Sequence, residues 1–176
     1  MRPEYIDRIK LLGSEGFWQT PLLDVGGGVW QYQKNQNYDM RDIVGRWGVD
    51  YICLDIEEGT GIDIVDDATE MVKVPSNNFG SIICTEMLEH CENPWKVVAQ
   101  CMRVLKPGGV IFLSAPFVYP VHSPTDYWRF TDQGVRLLMK DFEKIEMKEL
   151  GSVLANNHEI YFIGRKKDGK DNNPMP

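Results

Sequence analysis

Apolar positions along this chain follow two rhythms. Tyr5, Ile6, Ile9 and Leu12 recur at helical spacing and predict a short helix over Pro3 to Leu12. Compact apolar blocks then predict buried strands at Leu22–Val25, Tyr51–Asp55, Ile62–Val65, Ser81–Thr85 and Val110–Pro116. Between the last two, Asn93 is a natural N-cap and Pro94 suits the first helical position. Trp95, Val98, Ala99, Met102 and Leu105 continue as one apolar face until "KPGG" stops the helix. Thr131 caps a further helix carrying Val135, Leu138 and Met139, and "KIEMKEL" and "EIYFIG" supply two late strands. Val29 to Trp47 is polar and mixed, read as one irregular helix and a loop. The tail from Lys166 is polar and expected to fray.

Strands alternating with helices imply a mostly parallel sheet covered on both faces. Two late strands with a short connection imply an antiparallel pair at one edge. The expectation is one α/β domain over residues 1–166, a doubly wound seven-stranded sheet with an antiparallel edge strand, and a disordered polar tail over 167–176. A length of 176 residues suits a single core.

Composition narrows the function. The net charge of -7 repels phosphate backbones and argues against nucleic acid as a partner. No apolar run approaches the roughly 20 residues that span a bilayer, and "MRPEYIDRIKLLG" is too charged for a secretory signal. Four cysteines without a CxxC pair give little support for zinc and suggest a reduced, cytoplasmic protein. Three histidines in no spacing motif argue against a metal, although His122 with Asp126 leaves a Mg²⁺-type site open.

The candidate chemistry sits at the strand ends. The first strand runs into Gly26-Gly27-Gly28, where a ligand can approach the backbone without a Cβ in its way. Gln31 stands where a dinucleotide fingerprint needs its third glycine, and no Gly-Lys-Ser/Thr follows, so neither pyrophosphate nor triphosphate cradle is supported. The second strand ends in Asp55, which either accepts ribose hydroxyls or caps a helix. The third leads into Asp66, Asp67 and Ala68, where a carboxylate can take an adenine amino proton. Three acids at successive strand ends suit a ligand rich in hydroxyl and amine donors and disfavour a polyphosphate.

The order of these motifs resembles class I S-adenosylmethionine-dependent methyltransferases, a Rossmann-like fold, and within them the small type 11 group. The likeness runs from Leu22 to Leu138, through "LLDVGGG", "YICLDIE", "DATEMVKVPSNNFGSIICTEMLEHCENP" and "RVLKPGGVIFLSAP"; "EMLEH" followed by "RVLKPGG" is its most specific part. The chain departs at Trp30, where the family often has another glycine, and at "MVKVPS", where Leu-Pro-Phe is usual. The resemblance implies S-adenosyl-L-methionine as cofactor. Asp24 would organise the glycine turn and face the cofactor's amino acid part, and Gly26, Gly27 and Gly28 would admit it. Asp55 and Ile56 would hold the ribose end, Asp67 and Ala68 would contact adenine, and Thr85 and Glu86 would pass close to the methionine moiety. Glu89 and His90 belong to the same motif; Glu89 is read as a capping residue, His90 as an acceptor contact.

The segment "YPVHSPTDYWRFT", Tyr119 to Thr131, follows the fifth strand and carries His122, Asp126, Tyr127, Trp128 and Arg129. It is either a substrate loop or a rigid proline-rich lid. A similar segment occurs in family members linked to sugar and glycan modification, which implies a small-molecule or saccharide acceptor, methylated at a hydroxyl. An imidazole titrates near neutrality, so His122 is the candidate general base and Glu86 the second. Two other readings remain at this point: a cofactor-binding module without turnover, and a dinucleotide oxidoreductase. The oligomeric state is not legible.

Overall fold

The computed structural model describes residues 3–28 and 39–168. Seven strands form one sheet: β1 Leu22–Val25, β2 Tyr51–Asp55, β3 Ile64–Val65, β4 Phe79–Thr85, β5 Leu105–Val118, β6 Glu143–Leu150 and β7 His158–Arg165. Four helices accompany them: α1 Pro3–Ser14, α2 Met40–Gly45, α3 Pro94–Val104 and α4 Asp132–Leu138. Spatial order is β3-β2-β1-β4-β5-β7-β6. Strands β1 to β5 pair in parallel, and β7 runs antiparallel to both β5 and β6. The antiparallel pair thus closes one edge, as its short connection implies, with β7 inserted between β5 and β6.

Period-two alternation builds the two covered faces. Ile82 and Cys84 of β4, with Ile111, Leu113 and Ala115 of β5, pack on one side with Val97, Val98 and Cys101 of α3 and Val135 and Leu138 of α4. Ile83, Val110 and Phe112 face the other way, onto Tyr5, Ile6, Ile9 and Leu12 of α1 and Ile43 and Val44 of α2. Full burial of each such side chain stabilises the fold by roughly 1.5–3 kcal/mol.

Three local differences from the sequence reading have physical causes. The strand "IDIV" shortens to Ile64–Val65, because the Asp63 carboxylate takes the Cys53 N–H at 2.7 Å while its own N–H donates to the Cys53 carbonyl. The "KPGG" segment does not separate helix from strand. Helix α3 passes directly into β5 at Leu105, and Lys106–Gly109 forms a bulge, since Phe79 pairs with Leu105 but Ser81 with Val110. That bulge pairs with Lys166: Gly108 N–H donates to its carbonyl at 2.9 Å and Lys166 N–H to Gly109 at 2.8 Å. Lys166 is therefore tied down rather than frayed. Finally, the buried stripe of α3 is Val97, Val98, Cys101 and Val104. Trp95 is 54% exposed, its ring edge-on to Trp128.

Candidate functional site

Strand order reverses between β1 and β4, each of which has its chain continuation on the opposite side; the carboxyl ends flanking that reversal are where ligands bind in open α/β sheets. All the strand-end residues singled out from the sequence lie along this rim.

At the end of β1, Gly26 adopts a positive φ of 73°, and a Cβ there would stand 2.3 Å from Met87 Cγ. A Cβ on Gly27 would stand 2.7 Å from the Asp24 carboxyl, and one on Gly28 would stand 2.3 Å from Asp55 Oδ2. The glycines are thus what lets two carboxylates close on the turn. Asp24 is 4% exposed and accepts the Tyr51 hydroxyl at 2.5 Å. Burial pushes its pKa up to about 6; the Tyr51 hydrogen bond works against this and the Asp55 charge with it. Asp55 Oδ2 accepts the Gly28 N–H at 3.0 Å and Oδ1 the Glu57 N–H at 3.1 Å. Two acceptor directions per oxygen leave capacity for ribose hydroxyls beside these backbone bonds. Ile56, next to it, is 68% exposed.

The acids after β3 divide their work. Asp66 is buried and takes the N–H groups of Asp67 and Lys73. Asp67 is exposed, with Oδ1 accepting the Thr69 N–H at 2.7 Å, and Ala68 packs against the core beside it. Thr85 ends β4 half-buried. Glu86 follows in the left-handed backbone region, φ 51°, held by its N–H to the Ser114 carbonyl and by the Ser114 hydroxyl on Oε1 at 2.7 Å. Left-handed backbone at a residue with a Cβ costs of order 1 kcal/mol, and such strain gathers at functional positions.

The two acceptor-side motifs meet. After Glu86 a single 3₁₀ turn spans Leu88–His90. The loop after β5 is pinned to it: Tyr127 N–H donates to the Glu89 carbonyl at 2.7 Å, Trp128 Nε1 to the Cys91 carbonyl at 2.9 Å, and His90 Nδ1 meets the Thr125 carbonyl. Asp126 organises the loop. Its side chain is fully buried, forked by Arg129 and bonded to the His122 N–H at 3.0 Å, with His122 Nδ1 also at 3.0 Å. Arg129 holds the Asp126 carboxyl low, at about 2. This carboxylate is already neutralised, which removes the Mg²⁺-type site of His122 with Asp126 suggested by the sequence. The His90 and His122 rings pack edge to face, 4.9 Å between centroids, while Tyr127 is 49% exposed.

Glu89 is not a cap. The residue preceding the turn is Met87, with no side-chain capping bond. Glu89 is 0% exposed, and neither carboxyl oxygen has a hydrogen-bond partner. Burial and the neighbouring Glu86 charge raise its pKa well above the ordinary range. Nothing in "EMLEH" distinguishes a buried acid from a capping one. Tyr51, the partner of Asp24, carries no signal in the sequence either, because it reads as an ordinary strand residue. Trp30 and Gln31 lie outside the described residues. An open cavity of about 300 Å³ between α1 and the late strands, lined by Arg8, Lys148 and Tyr161 among others, shares no residue with this rim.

A glycine turn, acids on three successive strand ends and this strand order define the class I S-adenosylmethionine-dependent methyltransferase architecture. Comparison with known proteins agrees: the family model described as "Methyltransferase domain" matches residues 23–113, and the chain belongs to this family, in its type 11 group. The family assignment sets aside the oxidoreductase reading. The ubiquinone biosynthesis O-methyltransferase of Pectobacterium atrosepticum is 30% identical over 143 residues, covering 72% of this chain and 53% of that protein. The chain spans about half the length of the curated relatives it matches. Among solved structures, Burkholderia thailandensis 1,6-didemethyltoxoflavin-N1-methyltransferase, with bound 1,6-didemethyltoxoflavin and S-adenosylhomocysteine, aligns with a TM-score of 0.69 at 15% identity, over 93% of this chain and 78% of that one. The N-methyltransferase NodS of Bradyrhizobium japonicum, in complex with S-adenosylhomocysteine, aligns at 0.66 and 12% identity, over 93% and 86%. At such identities the likeness is one of fold. Among the described residues no helix is long and apolar enough to cross a membrane.

Proposed function

We propose that the chain binds S-adenosylmethionine along the rim from Asp24 to Thr85 and transfers its methyl group to a hydroxyl of a small-molecule or saccharide acceptor. The observation that carries this reading is that two constellations share the carboxyl ends of β1 to β5, with Met87, next to Glu86, closing against Gly26. On one side stand Asp24, Gly26, Gly27, Gly28, Asp55, Ile56, Asp67 and Ala68. On the other stand Glu86, His90, His122, Asp126, Tyr127 and Arg129. The likeness to a ubiquinone biosynthesis O-methyltransferase favours oxygen as the atom methylated.

In the transfer the C–S bond breaks as the C–O bond forms, the sulfonium becomes a neutral thioether, and the hydroxyl proton leaves. Positive charge on sulfur disappears at the transition state, so tight anionic contacts to sulfur would favour the ground state. The protein's tasks are alignment, exclusion of water and removal of the proton. With Nδ1 of His122 on the Pro120 carbonyl and beside Asp126, Nε2 is the nitrogen left for the acceptor oxygen, and Glu86 is the second candidate base.

Incubation with CD₃-labelled cofactor and a panel of phenols, sugar alcohols and glycosides tests this by mass spectrometry. Label on oxygen is expected, with kcat lowered about 10²–10⁴-fold in His122→Ala while cofactor affinity holds. Label on nitrogen, or a fully active His122→Ala, would overturn the assignment.

A further inference from the structure

We propose that Glu89, His90 and His122 form a binding site for one divalent first-row transition-metal ion. One ligand atom from each of the three lies within 4.8 Å of the other two, and His90 Nε2 stands 3.7 Å from Glu89 Oε1. Both imidazoles are oriented as metal ligands commonly are, with one ring nitrogen donating to an oxygen so that the other presents its lone pair. His90 Nδ1 donates to the Thr125 carbonyl, which fixes the lone pair on Nε2. His122 Nδ1 donates to the Pro120 carbonyl at 3.3 Å and lies 3.0 Å from Asp126 Oδ2, itself locked by Arg129. The third donor, Glu89, is a wholly buried carboxyl whose oxygens have no hydrogen-bond partner. The ionised form of an acid taken out of water in this way needs a compensating cation, and without one the group keeps its proton.

The donor set chooses the ion. Two imidazole nitrogens and one carboxylate oxygen suit Zn²⁺, Fe²⁺, Co²⁺ or Ni²⁺, whereas Mg²⁺ and Ca²⁺ prefer oxygen throughout. Donors about 2.1 Å from a tetrahedral ion sit roughly 3.4 Å apart. The cluster therefore closes by about an ångström on binding, and His122, 34% exposed on its loop, has the room to move. Three protein ligands leave one position of a tetrahedral ion open. The role of the ion rests on the methyl-transfer reading. Expansion to five-coordination would leave two open positions, which fit an acceptor that chelates, with adjacent hydroxyls or a hydroxyl beside a carboxylate. With His122 Nε2 on the ion, the imidazole would act as ligand rather than base: the ion would supply acidification of the acceptor hydroxyl, whose proton would pass to water as the C–S bond breaks and the C–O bond forms.

Chelator-treated, untagged full chain is titrated with Co²⁺, followed by its visible d–d absorption, with Zn²⁺ as competitor. One saturable Co²⁺ per chain is expected, displaced by Zn²⁺. Replacing an orienting partner of a metal-bound histidine typically costs 10–100-fold, so Asp126→Asn should weaken binding by that much. His90→Ala and His122→Ala, which remove ligands, should each weaken it by more than about 100-fold. Glu89→Gln should match them, and if that buried variant fails to fold, the two histidine variants decide. Cys91→Ser, altering the adjacent thiol, should leave Co²⁺ affinity unchanged. Absence of saturable binding, unaltered affinity in both histidine variants, or loss of binding in Cys91→Ser would overturn the proposal. Calorimetry with S-adenosylhomocysteine on the same samples reports separately on the methyltransferase reading.

Discussion

Asp24→Asn should make the ligand-free protein more stable and the cofactor complex weaker. Asp24 is buried, and its pKa rises from 3.8 to about 6 on folding. A raised carboxyl pKa means the native state holds a proton that the unfolded state releases between those values. Stability is therefore greatest below about pH 4 and falls as pH rises through 6. The rise from 3.8 to about 6 corresponds to about 3 kcal/mol at neutral pH. Asparagine keeps an acceptor for the Tyr51 hydroxyl but leaves an amide to satisfy, costing about 1 kcal/mol. The net gain is about 2 kcal/mol at pH 7.5, or roughly 4–8 °C in Tm, shrinking to nothing or below near pH 4. A cationic amino group on the cofactor would recover the ionised form. Wild-type affinity for S-adenosylhomocysteine should then be about tenfold weaker at pH 5 than at pH 7. In Asp24→Asn that dependence should vanish, with affinity down by about 1.5–3 kcal/mol. Denaturant melts and calorimetry across this pH range read both effects. A variant less stable than wild type at pH 7.5, or one binding the ligand unchanged, would refute the reasoning.

Asp55→Ala should keep the fold and weaken S-adenosylhomocysteine binding by about 1.5–3 kcal/mol in calorimetry, since a charge-assisted pair of hydrogen bonds is lost; unchanged affinity would leave Asp55 only its bonds to Gly28 and Glu57. Asp126 behaves oppositely to Asp24. Arg129 lowers its pKa from 3.8 to about 2, so its contribution is full above pH 4 and is lost as pH falls through 2. Because its side chain is wholly buried, Asp126→Asn should cost the metal-free protein about 2 kcal/mol at pH 7, a gap that closes in acid in denaturant melts.

The framework was legible in the sequence because burial on both faces leaves apolar blocks, and because caps such as Asn93 and Thr131 announce themselves; both accept the expected backbone N–H. The stripe of α3 was misplaced because two apolar sets share that helix, and only packing against β4 and β5 decides between Val97 and Trp95. The reversed strand's position was not legible, since a short connection fixes an antiparallel pair but not which partner β5 takes. Asp24, Asp55 and the glycines could be found because a turn that closes on carboxylates excludes a Cβ. The Glu89–His90–His122 cluster could not. Its members lie on two loops, and a buried acid without a partner looks like any other glutamate in one dimension.

The most direct measurement is calorimetric titration of the full chain with S-adenosylhomocysteine, with NAD as comparison. The account predicts one saturable site for S-adenosylhomocysteine, weakened in both Asp24→Asn and Asp55→Ala, and no heat of binding with NAD. No saturation at millimolar S-adenosylhomocysteine, or binding indifferent to both substitutions, would contradict it.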